Sequence, residues 1–279
     1  MIIADPAAAN RFLHNVSYYR LKGYWWADQA NDTQHDFRPG VSFESIVDRY
    51  NFDRELRLIL LNMIERVEVG IRTRMTYELS LARGPHWFAD VTNFHNPKQW
   101  SSLLTSIRRD VDRSSEIFIK EHHRKYGGTD SRLPPAWKTM EILTLGTISK
   151  LYATLRNDLP EKIEIARSIG LGQYRILENW LQLITILRNV CAHHSRIYGR
   201  PLPLQLATLR RPRRNWIDDR TLDRSTAYAT VCACKYLLQT ISPSNRFTLR
   251  LDNLFTTHAS VDPGRLGFPA NWKSQPLWR

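Results

Sequence analysis

The sequence of 279 residues predicts an all-α fold, on three observations. Long stretches repeat apolar residues at three- and four-residue steps, and no stretch shows clean period-two alternation closed by a two-residue turn. With 42% hydrophobic and 24% charged residues, the chain also has enough apolar material to bury a core, which excludes disorder as its dominant state. One core with additions fits the length: residues 1–220 form a helical domain, and 221–279 a C-terminal helical extension packed on the same core.

The elements follow in order. From Phe43 to about Ala82, Leu56, Leu60, Met63, Val67 and Ile71 recur with helical spacing and no proline intervenes. This predicts one long helix, or two meeting near Asn51–Asp53. Its polar face carries Glu65, Arg66, Glu68, Arg72 and Arg74, with Glu68 and Arg72 at the favourable i, i+4 spacing. Gly84-Pro85 ends the run, and Asn96-Pro97 opens a segment containing Trp100, Leu103, Leu104 and Ile107. Gly127-Gly128 and Leu133-Pro134-Pro135 are the clearest interior punctuation, after which Ala136 to about Leu155 is periodic again. Pro160 starts a short helix that Gly170 closes. Gly172 to about His194 is apolar over much of its circumference and belongs in the core. Two more helical stretches, Arg224 to about Ile241 and Ser244 to about Thr257, precede a tail rich in Pro, Gly and Trp. Trp25, Trp26, Trp137 and Trp180 are expected in the core.

The chain holds 40 basic and 27 acidic residues, a net charge of +13, and 31 of the 40 are Arg. Guanidinium forks bind phosphate in bidentate fashion and stack on bases, so a polyanionic partner is one reading; an Arg-rich coding bias is the other. Cys191, Cys232 and Cys234 are too few for a disulfide framework and fit a reducing compartment. The Cys232–Cys234 pair has no second pair to complete a tetrahedral site, so neither a metal nor a cofactor is expected. No run of about 18 apolar residues occurs and no basic region precedes a signal core, which predicts a cytoplasmic protein without a membrane partner.

The most informative stretch is Leu187-Arg188-Asn189-Val190-Cys191-Ala192-His193-His194-Ser195-Arg196, which sets a guanidinium, an amide and two imidazoles directly after an apolar helix. An unpaired guanidinium is costly to bury, so Arg188 must meet an anion, a carboxylate or a solvated cleft. At ~100° per residue, Asn189 and His193 lie only ~40° apart, whereas Arg188 lies ~140° from His193. An Arg followed after four to six residues by His is a ribonuclease pattern, but in a chain this rich in Arg the bare pattern carries no weight. The Asn beside the Arg and the placement at the end of a core helix do.

Arg188 to Arg196 closely resembles the signature of the Abi-like family, the abortive-infection proteins of the AbiD and AbiF type. Other landmarks agree in order: Tyr18-Tyr19-Arg20-Leu21-Lys22-Gly23-Tyr24, Tyr50-Asn51-Phe52-Asp53-Arg54-Glu55-Leu56-Arg57, Ile64 to Thr73, Pro135-Ala136-Trp137 and Gly146-Thr147-Ile148-Ser149. The resemblance spans roughly residues 10–200. It implies membership of the HEPN superfamily, a HEPN-like helical bundle with additional helices, and metal-independent RNA cleavage leaving 2′,3′-cyclic phosphate ends. Carried over by position, Arg188 and His193 are catalytic and Asn189 supports them. One departure is that Ser195 stands where HEPN toxins paired with a nucleotidyltransferase carry a Tyr, so regulation through a modified tyrosine is not expected. Another is that only a short segment precedes the Tyr-Tyr-Arg motif, which opens the reading that Met1 is an internal start and a terminal helix is missing.

In this reading imidazole exchanges protons near neutral pH, so His193 is the acid/base, and Arg188 holds the scissile phosphate. One motif per chain supplies one imidazole, which makes a homodimer part of the hypothesis. His194 is open to two readings, a second proton carrier or a packing or capping residue. Arg196, Arg200, Arg210, Arg211, Arg213 and Arg214 follow without an intervening acid and read as an RNA guide or as a solvated basic loop. Tyr198 and Trp216 are candidates for base stacking or for packing. Glu65 and Glu68 either orient Arg188 or balance Arg66 and Arg72, and the spacing favours the second. A small regulatory RNA or an antitoxin would restrain such a nuclease. The alternatives are a non-catalytic RNA-binding or toxin–antitoxin module, and a protein-interaction or structural component.

Overall fold

A computed structural model describes residues 1–30, 36–127, 132–218, 220 and 222–279. Among these, eleven α-helices and six short 3-10 turns carry the fold, and β-structure is confined to three isolated bridges. Gly128 of the interior break and residue 221, where the C-terminal extension begins, lie outside the described residues.

Helix α3 (Phe43–Arg83) is the spine. Ser42 caps it by accepting from the Ser45 N–H, and Gly84, at φ 82°, ends it after 41 residues. It is one continuous helix of ~60 Å and does not divide near Asn51–Asp53. Leu56, Leu60, Met63, Val67, Ile71 and Met75 form its buried stripe. Around it pack α2 (Tyr18–Trp25), α6 (Ala136–Ile142), α7 (Leu145–Thr154), α8 (Pro160–Ser168), α9 (Tyr174–Ala192), α10 (Ala227–Ile241) and α11 (Phe247–Thr257). Helix α9 lies in the middle, in contact with α3, α7, α8 and α10, which is why its sequence is apolar over much of its circumference.

Several elements start where local chemistry dictates. Asn96 accepts from Gln99 N–H and Pro97 occupies the first turn of α4 (Pro97–Asp112). Thr226 caps α10 and the Asn245 side chain accepts from Phe247 N–H, so both C-terminal helices begin three residues later than their periodicity suggests. The stretch expected as one segment from Ala136 to Leu155 is two helices. Thr144 caps α7 by accepting from Thr147 N–H, and the Leu143 carbonyl accepts from Arg72 Nη2 at 3.1 Å, so side chains replace the helical bonds across the joint. Helix α1 (Pro6–Asn15), opened by an Asp5 cap and Pro6, and α5 (Ile117–Tyr126) have no counterpart in the periodicity reading.

Trp25 and Trp180 are buried as expected, whereas Trp26 and Trp137 are 52% and 54% exposed. Trp26 follows its buried neighbour on a 3-10 turn, where successive side chains point apart, and Lys22 covers one face of its ring. Lys162 is fully buried: its Nζ donates to the Leu155 carbonyl (2.7 Å) and Asn157 Oδ1 (3.0 Å) and pairs with Glu178 (2.5 Å). Burial lowers its pKa against the opposing pull of Glu178. The tail folds back through Phe268, Trp272 and Trp278 onto Tyr228 of α10 and Phe255 of α11.

Gly267 fixes that return. Its φ is +88°, and a Cβ there would come within 2.5 Å of the Thr226 side chain that caps α10. Gly267→Ala is expected to cost about 2–4 kcal/mol, from the left-handed backbone and the overlap together, read from the midpoint of denaturant unfolding.

Candidate active site at the end of the core helix

Helix α9 buries Leu177, Trp180, Leu181, Ile184, Leu187 and Cys191 along one side. Arg188 falls in the same stripe, one turn from Ile184 and Cys191, yet stays partly exposed. Asn189 and His193 are exposed on the other side, in line with Gln182. The helix runs regularly to Ala192, so the structure brings Asn189 and His193 to one face and leaves Arg188 ~140° away around the axis. No hydrogen bond or ion pair engages the side chains of Arg188, Asn189 or His193 among the described residues.

The helix stops in a Schellman arrangement. His193 is the C-cap, Ser195 N–H donates to the Val190 carbonyl at 2.9 Å, and His194 N–H donates to the Cys191 carbonyl at 3.1 Å. His194 therefore holds the left-handed position, at φ 55°, where glycine is usual. Its exposed ring makes no hydrogen bond or ion pair, and its carbonyl accepts from Arg20 Nη1 at 2.8 Å.

What holds this helix end in place is Asp53, a fully buried carboxylate on α3. It accepts from Tyr24 Oη (2.6 Å), Arg57 Nη1 (2.6 Å), and the backbone N–H groups of Ile197 (3.2 Å) and Tyr198 (3.0 Å). Arg57 also reaches the Ser195 carbonyl at 3.4 Å. Burial pushes the Asp53 carboxyl above its ordinary range, and the Tyr24 and Arg57 contacts pull it back. Desolvation and the Asp53 charge raise the Tyr24 hydroxyl, which keeps it a donor, and burial pushes the Cys191 thiol up to about 12, which leaves it inert as a nucleophile. Arg20, Gly23 and Tyr24 lie on one face of α2 and meet the same segment. A Cβ on Gly23 would come within 3.0 Å of Arg196 Nε, so the glycine lets the arginine lie across the helix. Arg196 is half-buried there and donates to the Tyr198 carbonyl at 2.7 Å.

The basic residues of the sequence pattern thus separate. Arg196 lies beside Gly23 of α2 with its guanidinium tied to the Tyr198 carbonyl, and Arg200 is exposed nearby. After Arg200 the chain runs back along α9: Asn179 bonds the backbone of Gln205 and Ala207, and Trp180 Nε1 donates to the Ala207 carbonyl. Arg210, Arg211 and Arg213 consequently line a cavity of about 770 Å³ with Gly172, Gln173 and Ile176, at the opposite end of α9, and Arg214 lies beside Gly170. Ile176 and Arg188 are ~18 Å apart along the axis. Tyr198 and Trp216 are buried, and Trp216 stacks on Trp180 at 5.3 Å, so both are packing residues. Glu68 pairs with Arg72 (2.9 Å), the balancing role the spacing favours.

Cys232 and Cys234 are buried, and burial holds both thiols protonated. Among the described residues no group of three His, Cys, Asp or Glu side chains converges as metal ligands. Sequence reasoning missed Asp53, Arg57, Tyr24 and Arg20 as site-building residues. Their signal was present as the Tyr18–Tyr24 and Tyr50–Arg57 motifs, with Asp53 and Arg57 at i, i+4, but their convergence on the Arg188 motif is a tertiary fact.

The fold and this helix end define an all-α protein whose separated motifs assemble around one display site. The chain belongs to the Abi-like protein family, whose description matches residues 11–199 and therefore every residue of the Asp53 network. Membership supports an abortive-infection role. No curated protein and no solved structure matches the chain. Among the described residues no helix is long and apolar enough to cross a membrane.

Two expectations follow. Asp53→Ala should cost about 3–5 kcal/mol, because it strands the Arg57 guanidinium, while Tyr24→Phe should cost about 1–3 kcal/mol, both read by urea unfolding. His194→Gly should leave stability unchanged or raise it by about 1 kcal/mol in thermal unfolding, since the left-handed backbone suits glycine; a clear loss would assign the ring a packing role.

Proposed function

We propose that this chain is a cytoplasmic abortive-infection endoribonuclease of the HEPN superfamily that cleaves RNA without a metal. The observation that supports the reading is the display of the partly exposed Arg188 and the exposed Asn189 and His193, whose side chains have no hydrogen-bond or ion-pair partner among the described residues, at the end of a helix whose backbone is locked by buried contacts. An unpaired guanidinium at the edge of a core stripe is an incomplete arrangement that a phosphate completes.

In the reaction, His193 takes the proton from a ribose 2′-hydroxyl, whose oxygen attacks the adjacent phosphorus. The bond from phosphorus to the 5′-oxygen breaks, leaving a 2′,3′-cyclic phosphate and a 5′-hydroxyl. Arg188 stabilises charge on the non-bridging oxygens, and Asn189, one turn from His193 on the same face, orients it. Arg188 and His193 lean to different sides of one helix end, so a two-fold homodimer that sets two ends face to face lets the arginine of one protomer meet the imidazole of the other. It also supplies the second imidazole that protonates the leaving oxygen. Arg200, with Arg210, Arg211, Arg213 and Arg214 farther along α9, provides the field that draws RNA. A small RNA or an antitoxin restrains the enzyme.

His193→Ala and Arg188→Ala should each reduce cleavage of an oligoribonucleotide ~10²–10⁴-fold while shifting stability by less than about 0.5 kcal/mol. Chelator should leave the rate unchanged, products should carry cyclic phosphate ends, and mixing the two variants should not restore activity, because the mixed dimer keeps only one of the two imidazoles the reaction uses. Metal-dependent rescue would overturn the mechanism. RNA binding without fragments would assign the chain to the non-catalytic module instead.

A further inference from the structure

Away from the end of α9, a cavity of about 220 Å³ lies between α3, the turn after α10, and α11. Its floor is apolar, formed by the buried Met63 and Phe247. Three exposed arginines, Arg66, Arg246 and Arg250, are among its lining residues, and among the described residues no Asp or Glu lines it. Two of the three are aimed by neutral acceptors: Arg66 Nη1 donates to Ser242 Oγ at 3.0 Å, and Arg250 Nη1 donates to Asn62 Oδ1 at 2.9 Å. Arg246 makes no side-chain hydrogen bond or ion pair among the described residues. Arg66 and its acceptor Ser242 also border the adjoining cavity, where Glu65 lies, and among the described residues Glu65 forms no ion pair with Arg66.

Three like charges around one small concavity repel each other, and the acceptors that orient two of them neutralise none of that charge. A dianionic group removes the repulsion, and the planar guanidinium forks match phosphoryl oxygens in pairs. At about 220 Å³ the space is below the ~300–1,000 Å³ of sites that enclose a whole drug-sized molecule, so it suits one or two phosphoryl groups with the rest of the ligand outside. We propose that this cavity is a binding site for a terminal phosphate or pyrophosphate group. The inference is independent of the nuclease reading, since it uses none of the residues proposed for RNA cleavage. Arg246 and Arg250 also lie beyond residue 199, where the family match ends. The phosphoryl group can belong to a small nucleotide or to the phosphorylated end of a nucleic acid.

Isothermal titration of the full chain with inorganic pyrophosphate at physiological salt tests it. Saturable one-to-one binding is expected, weakened at least ~10-fold in Arg66→Ala, Arg250→Ala and Arg246→Ala, and unchanged in Arg108→Ala, an exposed arginine on α4. Arg246→Ala removes no hydrogen bond or ion pair among the described residues, so its result depends least on any loss of folding. Absence of saturable binding, retention of affinity in all three cavity variants, or an equal loss in Arg108→Ala would overturn the site in favour of general electrostatics. Competition then separates the sources, with a short 2′-deoxy oligonucleotide that cannot undergo 2′-hydroxyl attack. Displacement by adenosine monophosphate as strong as by the 5′-phosphorylated oligonucleotide assigns a small nucleotide. Displacement by the 5′-phosphorylated but not the 5′-hydroxyl oligonucleotide, with the monophosphate weak, assigns a nucleic-acid end.

Discussion

A carboxylate with no exposure to solvent must have its oxygens satisfied by the protein, and Asp53 meets that demand with donors from three separate parts of the chain. Tyr24 brings α2, Arg57 belongs to α3 itself, and the N–H groups of Ile197 and Tyr198 bring the segment that follows α9. None of these elements can shift without leaving a buried donor or the carboxylate unpaired. Three sequence motifs spread over about 180 residues are therefore one structural unit, and its product is a helix end held in a single geometry.

The same network divides the arginines into two populations. Arg20, Arg57 and Arg196 spend their hydrogen bonds on backbone carbonyls and on Asp53, so they build the site and are not displayed by it. Among the described residues, the side chains of the half-buried Arg188 and the exposed Asn189 and His193 have no hydrogen-bond or ion-pair partner. Because the chain doubles back along α9 after Arg200, the run of basic residues that follows the motif in sequence lies at the far end of the helix. Positive charge thus lies at both ends of α9 and is not gathered at one point. Charge fields of this form concentrate and guide an extended polyanion more than they grip a single phosphate.

Much of the architecture is legible in the sequence where local rules act alone. Asn96-Pro97 and the Gly84 stop bound α3 and α4, and the apolar run from Tyr174 to Cys191 marks a central helix, because capping and burial periodicity are properties of neighbouring residues. Legibility fails where a distant group competes. Arg72 takes the Leu143 carbonyl and splits a periodic segment, Lys162 is buried because Glu178 and two carbonyls surround it, and Trp26 turns outward on a 3-10 turn. At the site, the Arg188 motif is visible as an anomaly, polar groups after an apolar helix, whereas Asp53 looks like any charged residue on a long helix.

From its own residues the sequence determined the helical class, the approximate extent of the main helices and the identity of the polar groups at the end of α9, since each follows from spacing and composition. Only the tertiary structure decided which of those groups are free and which are structural, where the basic segment lies, and that α3 and α11 enclose a pocket of arginines. The reason is that burial and pairing depend on what arrives from elsewhere in the chain: an arginine's partner, or its lack of one, is set by the packing of whole helices and not by the residues beside it.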